Sequence, residues 1–234
     1  MSDPNWVNTG IFIKKKSRFD LKSFKKVRDF KYVFLNERVV EIPYVLSEVS
    51  KLSNCKEILD FGCSASLVPQ YFSSLGYNVT GLDLRDYPYE FPNFTFVKED
   101  LFKSSLQEDS FDALVCISTL EHVGLGFYGT EQRTDDFADI VAVKKLKSMI
   151  KPGGSFLLTV PFGKYHVNEH MRVYNSERIQ KITDEFNVKD LKFFVSKPSD
   201  DGTRNHWVSV SQDEASKVEF VQWVHCVVCM HLTK

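Results

Sequence analysis

From Glu57 onward, short apolar runs alternate with segments of helical periodicity, and this alternation constrains the fold of the 234-residue chain more than any other feature. The apolar runs predict seven strands, at residues 58–61, 78–82, 94–97, 111–117, 156–160, 191–195 and 221–232. Apolar residues three and four positions apart predict helices at 67–75, 137–150 and 176–186. Strands that alternate with helices form a parallel sheet covered on both faces. We therefore predict a doubly wound α/β fold with a mostly parallel seven-stranded sheet. No clear helix separates the last two runs, so an antiparallel edge strand is expected.

The chain divides by pattern into an N-terminal helical extension, residues 1–52, and a main domain, residues 53–234. Apolar residues recur at helical spacing in the second half of the extension, at Val39, Val40, Ile42, Val45, Leu46 and Val49. This face is expected to pack on the core. The extension carries eleven Lys and Arg against six Asp and Glu, whereas the rest of the chain carries nineteen against twenty-five. Such a basic balance is typical of a solvated helical face, and it would also suit an acidic acceptor.

The composition excludes several classes of protein. Hydrophobic residues make up 43% of the chain and charged residues 26%, which is enough apolar material for a sizeable core. A net charge of −1 gives no reason to expect nucleic acid or a membrane surface as a partner. No apolar run approaches the roughly 18 residues of a membrane span, and no signal-peptide pattern is present. The five cysteines are odd in number and three lie in predicted strands or strand ends, which predicts reduced thiols and a cytoplasmic location. The oligomeric state stays open.

Acidic residues stand at the ends of three predicted strands, at Asp60, Asp83 and Asp100. Ligands of such sheets bind beyond the carboxyl ends of the strands, so these carboxylates are expected at one edge. Gly62 allows the chain to turn sharply beside a ligand, and the helix that follows presents its N-terminal amides. Asp83 is placed to accept hydrogen bonds from vicinal ribose hydroxyls, and Asp100 from an exocyclic adenine amine. The pattern predicts a nucleoside-binding site.

Five segments between Glu57 and Gly163 together resemble class I S-adenosylmethionine-dependent methyltransferases. They are Asp60-Phe61-Gly62, Gly81-Leu82-Asp83, Asp100-Leu101, Ser118-Thr119-Leu120-Glu121-His122-Val123 and Lys151-Pro152-Gly153-Gly154. The resemblance implies a Rossmann-like methyltransferase fold and S-adenosyl-L-methionine as the cofactor. It also implies cofactor contacts from Asp60, Gly62, Ser64, Asp83, Leu84, Asp100, Leu101 and Ser118. The sequence departs from the family's Asp-x-Gly-x-Gly-x-Gly loop at Ser64 and Ser66, where glycines are usual, and serine resists a positive φ.

The predicted function is methyl transfer to a small molecule, with a sugar or a phosphorylated glycan precursor as the candidate acceptor. Gly124-Leu125-Gly126 and Thr159-Val160-Pro161-Phe162-Gly163 are distantly similar to family members that modify sugars or other metabolites of surface glycans. His122 and His166 follow strand ends and are candidates for the base that removes the acceptor's proton, although each would also suit a structural histidine. The candidate acceptor-binding residues are Tyr128, His170, Arg172 and Tyr174. Arg172 is expected to clamp a phosphate or carboxylate through its planar fork, and a plain surface turn is the alternative.

Other functions remain as alternatives. A nicotinamide-dependent oxidoreductase is disfavoured because no Gly-x-Gly-x-x-Gly is present. A nucleic-acid methyltransferase is disfavoured because no Asn/Asp-Pro-Pro-Tyr/Phe signature follows Ile117. A non-catalytic partner subunit on the same fold is motivated by Ser64 and Ser66. No metal is predicted, since Cys226 and Cys229 of the final strand should point to opposite faces.

Overall fold

A single eight-stranded sheet forms the centre of the protein, in the order β3-β2-β1-β4-β5-β10-β8-β9. The computed structural model describes residues 35–64, 66–126, 135–200, 202 and 205–234. The strands are β1 Glu57–Phe61, β2 Asn78–Asp83, β3 Phe94–Lys98, β4 Phe111–Ile117, β5 Ile150–Pro161, β6 His166–Val167, β7 Arg172–Val173, β8 Asn187–Pro198, β9 Asn205–Val210 and β10 Cys226–Thr233. Strands β1 to β5 are parallel, and β10 is inserted antiparallel between β5 and β8. The predicted α/β fold with a mostly parallel sheet and an antiparallel edge is confirmed.

Two features of the strands were not predicted. β9 adds an eighth strand by pairing antiparallel with β8. Its residues are mostly half-exposed, because it lies at the edge of the sheet and lacks the continuous apolar run of a central strand. The short strands β6 and β7 form a separate hairpin after β5. The predicted turn at Lys151-Pro152-Gly153-Gly154 lies within the irregular start of β5, where Gly153 has φ +76°.

Five helices and two short 3₁₀ turns are described. The helices are α1 Arg38–Ser50, α2 Val68–Ser74, α3 Ala138–Met149, α4 Ser176–Thr183 and α5 Gln212–Ser216, and the 3₁₀ turns are Leu101–Lys103 and Leu120–His122. Helices α3 and α4 cover one face of the sheet, and α1 and α2 cover the other. Cys226 and Cys229 of β10 are buried on these opposite faces, as the alternation of a strand requires. Among the described residues, no helix is long and apolar enough to cross a membrane.

Helix α1 is the part of the N-terminal extension that the structure describes. Tyr44, Val45 and Val49 are buried in the core that includes Ile58 and Leu157. Residues 1–34 lie outside the described residues, so the division of the chain at residue 52 stays a prediction.

A polar contact at the far end of α1 also joins this helix to the sheet. Glu48 Oε2 lies 3.1 Å from Nδ1 of His231, and Nε2 of the same ring lies 3.0 Å from Ser155 Oγ. All three side chains are buried. Helix α1 is therefore bonded to β5 and β10 as well as packed on them.

Candidate active site

One large cavity, of about 680 Å³, opens at the carboxyl ends of β1 to β4. This volume lies within the range of small-molecule sites, and the position is where open α/β sheets bind ligands. The residues that the sequence predicted to contact a cofactor all line it, namely Asp60, Gly62, Ser64, Asp83, Leu84, Asp100, Leu101 and Ser118. The fold thus brings together side chains that lie up to 58 positions apart, from residue 60 to residue 118.

The turn after β1 requires glycine at position 62. Gly62 has φ +81°, and a Cβ there would lie 2.2 Å from the side chain of Thr119. Its N–H donates to Leu82 O over 2.8 Å, which fixes the turn against β2. The backbone therefore passes close to the end of β4 at a point that no larger residue could occupy.

Two serines stand in this turn where the family usually has glycines. Ser64 does not have a positive φ. Ser64 Oγ donates to the carbonyl of Asp86 over 3.1 Å, and Ser66 Oγ accepts from the N–H of Val68, at the start of α2, over 3.1 Å. Hydrogen bonds thus hold these residues in place, so their replacement of the family's glycines does not distort the turn.

Asp83 is a buried carboxylate at the end of β2. Its Oδ2 accepts from the N–H of Ser64 over 2.8 Å, and its Oδ1 accepts from the N–H of Arg85 over 2.9 Å. Arg85 also lays its guanidinium against the same carboxylate, with Nε 3.3 Å from Oδ1. The carboxylate is therefore held rigidly at the cavity wall by the turn after β1.

Asp100 stands at the end of β3 and begins a 3₁₀ turn. Its Oδ1 accepts from the N–H of Phe102 over 2.9 Å. Leu84 and Phe102 also line the cavity here, and each is 38% exposed. An acidic group and two apolar side chains in one cavity suit a flat ring that carries an amine at its edge.

Asp60 is the most unusual group of the cavity. It is 3% exposed, and its Oδ2 has no hydrogen-bond partner among the residues that the structure describes. Burial and, to a smaller extent, the nearby Asp83 raise the pKa of this carboxyl to about 8, although Arg38 opposes the shift. A buried polar atom of this kind is costly unless something in the cavity binds it. Asp60 therefore favours a cationic or hydrogen-bond-donating ligand.

Helix α1 contributes charged groups that the sequence analysis did not single out. Arg38 lines the cavity and donates through Nη1 to Oε2 of Glu41, which is fully buried. Glu41 also accepts a hydrogen bond from Ser118 Oγ. The sequence did contain one sign that Glu41 is buried, because it lies on the same face of the helix as the apolar Val45. A carboxylate at a core-facing position needs a partner, and here the partners belong to the cavity.

His122 lies at the cavity wall beyond the end of β4. Its Nδ1 is within hydrogen-bond distance of the carbonyl of His170, which can only accept. Nδ1 therefore carries the proton, and Nε2 is the nitrogen with a lone pair. Burial lowers the pKa of His122 to about 4, so the ring is neutral at physiological pH. Behind it, Oε1 of Glu121 lies 3.8 Å from Nε2, and burial raises the pKa of this carboxyl to about 8.

Arg172 and Tyr174, which the sequence analysis predicted to bind the acceptor, are buried and do not line the cavity. Arg172 is 1% exposed and donates to the carbonyls of Val123 and Asp135, so its guanidinium is used inside the protein and is not available to clamp an acceptor. Tyr174 is also fully buried and does not line the cavity. The physical reason is that the chain after β5 folds into the β6–β7 hairpin, which carries both residues inward.

The same hairpin takes His166 away from the cavity. Its ring stacks on Phe220 at a centroid distance of 4.8 Å, so the prediction that it acts as a base is not supported. The backbone carbonyl of His170 contacts His122 at the cavity wall. Tyr128 lies outside the described residues.

Solved structures that share this fold include methyltransferases. The 1,6-didemethyltoxoflavin-N1-methyltransferase of Burkholderia thailandensis, solved with bound 1,6-didemethyltoxoflavin and S-adenosylhomocysteine, covers 100% of this chain and 99% of its own, with a TM-score of 0.56 and 14% identity. A SAM-dependent methyltransferase from Archaeoglobus fulgidus covers 92% of this chain and 100% of its own, with a TM-score of 0.54 and 14% identity. The resemblance to class I methyltransferases is confirmed for the fold, which is their Rossmann-like fold.

At the level of sequence, the chain is similar to curated relatives and to one family model. The ubiquinone biosynthesis O-methyltransferase of Dechloromonas aromatica is 32% identical over 114 residues, which make up 44% of this chain and 44% of the relative. The chain spans about half the length of the first curated relatives that it matches. A family model described as "Caenorhabditis protein of unknown function, DUF268" matches residues 94–216, more than half of the chain. The protein belongs to this family.

Proposed function

We propose that the protein is an S-adenosyl-L-methionine-dependent methyltransferase that acts on a small molecule. The observation that carries the proposal is the buried carboxylate of Asp60, without a partner among the described residues, in a cavity that also contains Arg38, Asp83 and Asp100. Together these groups match the ammonium, the carboxylate, the ribose and the adenine of the cofactor.

The fit can be stated group by group. Asp60 would accept from the ammonium of the cofactor's methionine part, and Arg38, which lines the same cavity, would hold its carboxylate. Asp83 would accept from the ribose hydroxyls. Asp100 would accept from the adenine amine, with the ring lying between Leu84 and Phe102.

When bound, the cofactor supplies an electrophilic methyl group on a sulfonium. The protein's main contribution is to hold the acceptor in line with that group, since alignment removes most of the entropic barrier. Ser118, at the end of β4, lines the part of the cavity next to His122 and Val123, which we assign to the acceptor. His122 is neutral because of its lowered pKa, and Nε2 can accept a proton from the acceptor.

An oxygen acceptor is favoured by two arguments. A hydroxyl must lose its proton during transfer, and His122 is a base beside the cavity. The curated relatives are named O-methyltransferases. A sugar remains a candidate for the acceptor. The argument for a phosphorylated one is weaker, because Arg172 is engaged with backbone carbonyls and Arg38 is already assigned to the carboxylate of the cofactor. The cytoplasmic location stays a prediction.

Two measurements on the purified protein test the proposal. Calorimetry should detect binding of S-adenosylmethionine and S-adenosylhomocysteine but not of NAD. Labelled cofactor should then transfer its methyl group to members of a panel of hydroxylated aromatics, nucleotide-linked sugars and phosphosugars, with duplex and single-stranded nucleic acid included. Binding of NAD without either sulfur nucleoside would overturn the proposal. Cofactor binding without transfer to any acceptor would favour the non-catalytic partner subunit, and transfer to nucleic acid alone would favour a nucleic-acid methyltransferase.

A further inference from the structure

The carboxylate that is proposed to bind the ribose is already engaged by a side chain two residues further along the chain. Two backbone N–H groups, of Ser64 and Arg85, donate to Asp83 over 2.8 and 2.9 Å. The guanidinium of Arg85 adds a fork, with Nε 3.3 Å from Oδ1 and Nη2 3.3 Å from Oδ2. A carboxylate offers about four lone-pair positions. These four donors therefore occupy the positions that a vicinal diol would use.

The two kinds of donor differ in how easily they can be replaced. The N–H of Ser64 belongs to a buried turn, whose Ser64 hydroxyl is bonded to the backbone of the segment after β2. The guanidinium of Arg85 is on a side chain that is 37% exposed, and its contacts are longer than the 2.8 and 2.9 Å of the backbone donors. The guanidinium side of the ion pair is partly exposed, although Asp83 is buried, and screening by water at that side weakens the pair. A ribose can therefore displace the guanidinium but not the backbone amides.

We infer that Arg85 competes from within the protein for the ribose-binding carboxylate, so that every ribosyl ligand must displace it in order to bind. The inference rests on the proposed function only in taking Asp83 as the ribose acceptor. On this inference Arg85 lowers the affinity for every ligand that binds Asp83 through a diol. Arg85 has no part in the methyl-transfer step itself.

The variant Arg85→Met removes the guanidinium and keeps a long side chain. Adenosine, S-adenosylhomocysteine and S-adenosylmethionine are titrated into the wild type and the variant by calorimetry. Each dissociation constant should fall about two- to fivefold, as expected for the loss of a half-exposed ion pair. The gain should be equal for the three ligands, because they share the ribose. Relief of charge repulsion would instead favour S-adenosylmethionine, the only one of the three that carries a sulfonium.

Two controls separate this contact from a general change of charge. Lys98 pairs with Asp86 over 2.6 Å near the same sheet edge and does not line the cavity, so Lys98→Met should leave all three constants unchanged. In an Asp83→Asn background, Arg85→Met should lose its effect. Raising the salt from about 0.05 M to about 0.5 M should strengthen binding to the wild type, since it weakens the ion pair, but not to Arg85→Met.

The outcomes distinguish the inference from the proposed function. If the wild type binds the sulfur nucleosides and Arg85→Met binds them equally or more weakly, Arg85 is neutral or a ligand contact, and the inference alone is overturned. If no variant binds any of the three ligands, both are overturned. If Arg85→Met tightens adenosine binding while the protein transfers no methyl group, the inference stands without the proposed activity.

Discussion

Ser118 Oγ donates a hydrogen bond to Oε1 of Glu41 over 2.7 Å, so the end of strand β4 is bonded directly to helix α1. Glu41 is fully buried, and its other oxygen accepts from Arg38 at the cavity wall. Ser118 itself has φ +40°, an uncommon conformation for a residue other than glycine. The N-terminal helix is thus held by the same residues that border the proposed methyl-transfer position.

The first prediction concerns this bond. Ser118→Ala leaves one oxygen of the buried Glu41 without its donor and should lower the free energy of unfolding by about 1.5–3 kcal/mol. Ser50→Ala, which removes an exposed hydroxyl from the end of the same helix, should change it by less than about 0.5 kcal/mol. Urea denaturation of the two variants measures both values. Equal effects would show that the Ser118 bond adds nothing to the attachment of α1.

The second prediction concerns the ribose acceptor. Asp83→Asn should weaken binding of S-adenosylhomocysteine by about 1.5–3 kcal/mol, the range for hydrogen bonds to a charged group. Asp86→Asn is the matched control, because its carboxyl is 84% exposed and does not line the cavity. Calorimetry at one pH and salt concentration gives both dissociation constants. A constant for Asp83→Asn equal to that of the control would remove Asp83 from the site.

The third prediction follows from the pKa of Asp60, which burial raises to about 8. Between about pH 4 and 8 the folded protein keeps this proton while the unfolded chain loses it, so stability falls as the pH rises. The contribution is at most about 1.4 kcal/mol per pH unit. Asp60→Asn removes this titrating carboxyl. The free energy of unfolding of the variant should therefore rise relative to that of the wild type as the pH rises. Glu121 also has a raised pKa, but it is present in both proteins, so its contribution cancels when the two free energies of unfolding are subtracted.

The same carboxyl makes cofactor binding depend on pH. An ammonium placed beside Asp60 favours the ionised carboxylate, so binding should lower its pKa and release a proton. Affinity for S-adenosylhomocysteine should therefore rise between about pH 6 and 8 in the wild type and not in Asp60→Asn. Calorimetry in buffers of different ionisation enthalpy counts the proton. Proton uptake would place a different group of the ligand at Asp60.

The fourth prediction concerns Arg172. Its guanidinium donates to the carbonyl of Val123 and, over 3.1 Å, to the carbonyl of Asp135. Arg172→Ala leaves both carbonyls without this donor and should destabilise the protein by about 2–4 kcal/mol. Arg172→Lys should recover only part of this, since an ammonium has no planar fork. Lys164→Ala removes an exposed ion pair near the same hairpin and should cost less than about 1 kcal/mol. A stable Arg172→Ala with lost turnover would restore the acceptor-clamp interpretation.

The fifth prediction separates the two candidate bases. His122→Ala should reduce kcat by about 10²–10⁴-fold with cofactor affinity unchanged, as for loss of a general base. Because its pKa is about 4, turnover that depends on neutral His122 should be flat above about pH 5.5. His166→Ala should keep its turnover, since that ring stacks on Phe220 outside the cavity. A loss that appears only in His166→Ala would reverse the assignment.

Much of the cofactor end of the cavity could be predicted from local sequence. The apolar runs predict strands β1 to β4, and because neighbouring parallel strands run in the same direction, their carboxyl ends meet at one edge of the sheet. Asp60, Asp83 and Asp100 follow directly from that rule, as does Gly62, whose positive φ and lack of space for a Cβ are properties of one turn. The positions of these residues follow from the local conformation of the chain, which the order of residues in the sequence is enough to predict.

The acceptor end depended on contacts between distant parts of the chain. Arg172 bonds to carbonyls 49 and 37 positions away, and Glu41 meets Ser118 across 77 positions. No local pattern distinguishes an arginine that will be exposed from one that will be buried against carbonyls, because burial is set by how the β6–β7 hairpin packs. The sequence by itself determined where the central strands β1 to β5 lie along the chain and which acids stand at their ends. Only the tertiary structure decided which charged side chains face the cavity, because desolvation and pairing depend on neighbours brought together by folding.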